Sequence, residues 1–93
     1  MAFYRCTICL EDGTDIAADV MVSIEETIGA GAPRWHGTIT IKHMTKLDAG
    51  QKYRIVLPDG RVGDFVVRRN TYAGGEDRAV AINGLSPFVP MER

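Results

Sequence analysis

Leu57-Pro58-Asp59-Gly60-Arg61 decides the fold, because Leu10-Glu11-Asp12-Gly13-Thr14 repeats its message. Both stretches read Leu-x-Asp-Gly-x, and each separates two runs of alternating residues. That pattern predicts a β-hairpin whose three-residue loop ends in a glycine at positive φ. The aspartate suits the same loop, since its carboxylate can accept a hydrogen bond from the backbone nearby.

The pairing follows outward from each turn. With residues 58–60 as the loop, Tyr53 faces Phe65, Arg54 faces Asp64 and Ile55 faces Gly63. Tyr53, Ile55, Phe65 and Val67 then share the inner side, and Arg54 with Asp64 forms an ion pair outside. Gly63 leaves room for close approach or a bulge. The same construction on strands 2–10 and 15–25 pairs Leu10 with Thr14, Ile8 with Ile16, Cys6 with Ala18 and Tyr4 with Val20. It turns those eight residues, except Thr14, inward together with Val22 and Ile24. It sets Arg5 opposite Asp19 and Phe3 opposite Met21 on the outside.

Two further strands complete the chain. Residues 35–43 alternate, with Trp35, Ile39 and Ile41 inward and His36, Thr38, Thr40 and Lys42 outward. Residues 78–85 do the same, with Val80 and Ile82 inward. Residues 26–34 hold two glycines and a proline and read as a loop, as do residues 70–77. Residues 44–51 turn the chain; Thr45 or Asp48 could cap a helical turn there, but the segment is too short for a stable helix. The expected class is all-β, a small antiparallel six-stranded barrel or open sandwich built from the two hairpins plus two strands. Closure answers the problem of unpaired edges. The chain of 93 residues reads as a single domain, 1–93, with 86–93 an extended C-terminal tail.

Composition narrows the function. Hydrophobic content of 45 %, charged content of 25 % and mean hydropathy of −0.07 describe an ordinary globule. Nothing resembles a signal peptide or a membrane-spanning run, and two cysteines without a secretion signal favour a cytoplasmic location. Net charge is −1, but it is unevenly spread. Residues 1–30 carry −5 and residues 42–69 carry +4. Such asymmetry marks a nucleic-acid face, a partner surface, or two hairpins that attract each other.

No residue pattern points to catalysis. Cys6-Thr7-Ile8-Cys9 has C-x-x-C spacing, yet a strand turns positions i and i+3 to opposite faces. Cys6 is expected inside, and Cys9 outside beside Asp15, which disfavours a thiolate. A zinc site needs further ligands, and His36 and His43 point to opposite sides of one strand. His36 has no evident partner. Asp12 and Asp59 read as turn formers, and Asp19 and Asp64 as partners of arginines. No nucleophile elbow or phosphate-binding glycine loop is present. The expectation is a non-enzymatic module with no catalytic residues, no metal and no cofactor; a thiol or zinc protein is the remote alternative.

Two surfaces remain. Phe3, Met21, Val56, Val62 and Val66 are apolar residues on expected outer faces, which suggests a protein partner or a homodimer. The tail Phe88-Val89-Pro90-Met91 could cover them in cis. The alternative is a nucleic-acid-binding barrel using Lys42, Lys52, Arg54, Arg68 and Arg69, with Trp35 available for stacking. No membrane partner is expected.

Overall fold

The computed structural model describes residues 2–27, 34–42, 47–72 and 77–90. Its elements are strands: β1 (Ala2–Cys9), β2 (Asp15–Thr27), β3 (Arg34–Lys42), β4 (Lys52–Val56), β5 (Arg61–Tyr72), β6 (Asp77–Gly84) and β7 (Val89–Pro90). They pair antiparallel in the order β4-β1-β2-β3-β6-β5, and β5 pairs back to β4. The sheet is therefore a closed six-stranded antiparallel barrel, not an open sandwich. β7 is an added strand that pairs with the start of β5, Val62 with Val89 and Arg61 with Pro90.

Both turns form as the Leu-x-Asp-Gly pattern requires. Leu10 N–H donates to Thr14 O at 2.8 Å, and Leu57 N–H to Arg61 O at 2.8 Å. Gly13 and Gly60 have φ of 93° and 92°. Asp12 Oδ1 accepts from Thr14 N at 2.8 Å, and Asp59 Oδ1 from Arg61 N at 3.0 Å. These backbone donors hold both carboxyls below the usual carboxylate range.

The β4–β5 hairpin keeps the expected register throughout: Tyr53 with Phe65, Arg54 with Asp64, Ile55 with Gly63. The β1–β2 hairpin does not. Cys9 pairs with Asp15 in the turn register, but Ile8 pairs with Ala17, and Cys6 with Val20. β2 thus carries two extra residues, one between Ala17 and Val20 and one at Ile16. Asp19 lies in the first bulge with φ of 57°. Two single-residue slips restore the original parity, so Tyr4 and Cys6 still share a face with Val22. The pairs of Tyr4, Arg5 and Phe3 change accordingly, to Val22, Met21 and Ser23. Ala18, expected inside, is exposed because it sits in the bulge.

The core contains Ile8, Val22, Ile39, Ile55, Phe65, Val80 and Ile82, all essentially inaccessible. Trp35, Ile41, Tyr53 and Val67 join them as the alternation predicts, and Leu47 and Leu57 close the ends. An aromatic series runs through it. Tyr53 and Phe65 lie 5.8 Å apart, Phe65 meets Trp35 edge-on at 6.4 Å, and Trp35 stacks on Phe88 at 4.3 Å. Gly63 and Gly84 make the space: a Cβ on Gly84 would collide with the Trp35 indole, and one on Gly63 would press Phe88.

The elements are longer than the sequence suggests. Glu26, Thr27 and Arg34, read as loop, are strand residues. Asn70 to Tyr72 and Asp77 likewise extend β5 and β6. The rest of both loops, His43, and the possible cap at Thr45 lie outside the described residues.

Candidate binding surfaces

The expected site residues fall on different parts of the barrel wall. Phe3 is 67 % exposed on β1. Met21 on β2 is 39 % exposed and pairs with Arg5, which makes it a diagonal neighbour of Phe3. Val56 and Val62 face each other across β4 and β5, each half-buried. Thr7 continues their row on β1, and Val89 continues it on β7. Phe3 is four residues from Thr7, roughly 13 Å along the strand. Val66 is separated from Val62 by Asp64 and lies opposite Lys52. The five apolar residues thus occupy three places, not one patch.

As far as Pro90, the tail does not roof the apolar row, and Met91 lies outside the described residues. Val89 adds to its edge and is itself 52 % exposed. Phe88 turns the other way and stacks on Trp35. No alternation marks Phe88 as packed against the core; only the missing side chain of Gly63 hints that something large fits there.

The five basic residues are also divided. Lys52 Nζ lies 3.7 Å from Asp64 Oδ2 and 3.9 Å from Glu11 Oε1. Arg54 Nε is 3.4 Å from Asp64 Oδ1. Asp64 therefore compensates two of the five. Arg68 is the extra residue of a bulge between Val67 and Arg69 on β5, and both arginines are exposed. Lys42 ends β3 opposite Asp77. Trp35 is buried to 4 % exposure, and its Nε1 donates to Ser86 O at 2.7 Å, so its ring is closed to a nucleobase. His36, expected without a partner, has Nε2 3.5 Å from Glu25 Oε2.

The surroundings of both cysteines favour the protonated thiol. Cys6 is buried as expected, and burial, aided by the Asp59 charge, pushes its thiol up to about 12. Cys9 is also buried, contrary to expectation, because β1 is flanked there by Asp15 on β2 and Arg54 on β4. Its thiol is raised by burial and by Asp15, whose Oδ1 lies 3.4 Å from Sγ. Protonated thiols are poor nucleophiles and poor metal ligands. Among the described residues no three His, Cys, Asp or Glu side chains gather as a metal site, and no helix is long and apolar enough to cross a membrane.

One groove is announced by no motif. Arg34, His36, Arg68, Asn83 and Leu85 border an open space of about 650 Å³ with Trp35 at its base. A signal existed in principle: Arg34 and His36 are two apart on one strand, but their convergence with Arg68 depends on β6 lying between β3 and β5. Comparison with protein-family models, with curated proteins and with solved structures returned no match to this chain.

Proposed function

We propose that this protein acts by binding rather than catalysis, and that it joins a second copy of itself through the outer wall of β1 and β2. The observation that carries this reading is Phe3, 67 % exposed near the start of β1 with Met21 diagonal to it. Two large apolar side chains side by side on a barrel exterior favour an occupant that removes them from water.

The neighbouring charges suit a second copy. Arg5 Nη1 and Asp19 Oδ2 lie 3.4 Å apart beside Met21, each about two-thirds exposed. A two-fold axis between facing walls brings Arg5 of each copy toward Asp19 of the other. A standard interface takes about 800 Å² per partner, a modest share of the 5903 Å² this barrel exposes. The nucleic-acid alternative has weaker support, since Lys52 and Arg54 already face Asp64. Two free, protonated thiols suit a reducing, cytoplasmic setting.

Sedimentation equilibrium from about 10 µM to 1 mM tests the reading, a range set by the weak end of specific association. The wild type is expected to shift toward dimer with concentration, and a Phe3→Ser, Met21→Ser variant to stay monomeric. A wild type that is monomeric throughout, or a variant that associates equally, overturns it.

A further inference from the structure

Beyond that association surface, the groove bordered by Arg34, His36 and Arg68 has its own chemistry. The β3–β6 ladder ends at the His36–Asn83 pair. After Asn83 the chain parts from β3 but stays with β5: Gly84 pairs with Phe65, and Leu85 N–H donates to Asp64 O at 2.8 Å. Arg34 and Trp35 therefore run on without a partner in that ladder, and the groove opens alongside them. Its far side is formed by Leu85 to Pro87, with Leu85 52 % exposed.

Two arginines without a carboxylate partner meet at this groove. Arg5, Lys52, Arg54 and Arg61 each have a carboxylate within 4 Å. Arg34, Arg68 and Arg69 have none among the described residues, and of these three Arg34 and Arg68 border the same groove. The β5 bulge inserts Arg68 as an additional residue between the Val67–Ile82 and Arg69–Ala81 pairs, and Arg68 borders the groove together with Asn83. Glu25 lies near the rim, but His36 faces it at 3.5 Å. Two uncompensated guanidiniums thus border a slot with an apolar side, next to a strand edge.

We propose that this groove seats an extended acidic segment of a partner protein, with carboxylates on Arg34 and Arg68 and an apolar side chain against Leu85. An extended segment matches a strand that outlasts its neighbour, and guanidiniums grip carboxylates in a fork. A peptide fits better than a nucleic acid. Base stacking needs an accessible aromatic face, and the aromatic here, Trp35, is buried under Phe88.

Fluorescence anisotropy tests this with a labelled peptide containing Glu-Leu-Glu-Leu-Glu, set against its Gln-Leu-Gln-Leu-Gln counterpart and a labelled single-stranded oligonucleotide. The acidic peptide is expected to bind at least tenfold tighter than either. An Arg34→Glu, Arg68→Glu variant is expected to lose that binding more than tenfold with an unchanged far-ultraviolet spectrum. Arg69→Glu and Phe3→Ser are expected to retain it, which separates this groove from the association surface. Amide shifts on titrating the wild type should concentrate at Arg34, Arg68 and Leu85, a readout independent of any variant's folding. No binding at 1 mM peptide, tighter binding of the oligonucleotide, or shifts confined elsewhere overturns the proposal.

Discussion

The two hairpins of this barrel begin from the same turn and end differently. β4–β5 continues the register set by Leu57-Pro58-Asp59-Gly60-Arg61 through every pair to Lys52 and Val66. β1–β2 abandons the register of Leu10-Glu11-Asp12-Gly13-Thr14 within two residues and slips twice. The difference lies in what else each strand must do. β2 is 13 residues long and pairs with β3 only from Met21 onward, whereas β1 is joined to β4 over Thr7–Cys9. The bulges fall in β2 alongside that junction. A bulge adds local twist and bend, which a closed sheet needs where a long strand passes from one neighbour to the next. β5, 12 residues long, has its own bulge at Arg68, just beyond the stretch paired with β4.

Substitutions can break or sharpen this contrast. Ile55→Ala, at a fully buried site in the regular hairpin, is expected to cost about 2–5 kcal/mol in chemical denaturation. Ile16→Ala, half-buried in the bulge, should cost about 1 kcal/mol; equal losses would mean that the bulge is as well packed as the core. Gly13→Val and Gly60→Val should each lose about 1–2 kcal/mol, because a β-branched residue is strained at positive φ and neither site is crowded. A large gap between them would show that the turns are not equivalent.

Asp19→Val should lose about 1 kcal/mol by the same strain, while Asp19→Gly stays within about 0.5 kcal/mol of wild type. Identical behaviour of the two would remove the left-handed bulge. The smallest effect concerns Cys6. Its folded thiol is raised above the unfolded value, so its contribution is complete below about pH 8.5 and is lost as pH rises toward about 12. Stability against pH in that alkaline window should fall more steeply for wild type than for Cys6→Ala.

The same contrast explains how far the sequence could be read. The Asp-Gly turns, the β4–β5 register and the inward set Trp35, Ile39, Ile41, Val80 and Ile82 follow from local chemistry and a period of two, and the structure has them so. The bulges were not legible, because closure imposes them and Ile16-Ala17-Ala18-Asp19-Val20 contains no glycine to mark them. Cys9 was misplaced for a related reason: its burial comes from flanking Asp15 and Arg54 on two other strands. The place of Phe88 was not legible because it packs over Gly63, 25 residues earlier, and against Trp35. Of the candidate surfaces, the residue types were visible and their grouping was not. Asp64 gathers Lys52 and Arg54, and β6 brings Arg68 toward Arg34.

The central claim is that β1 closes the barrel against β4 while β2 takes up the strain in two bulges. Interstrand nuclear Overhauser contacts between backbone protons test it in one experiment. The account predicts Tyr4 against Val22, Cys6 against Val20, and Thr7 against Val56. Contacts of Tyr4 with Val20 and of Cys6 with Ala18, together with none between β1 and β4, would contradict it.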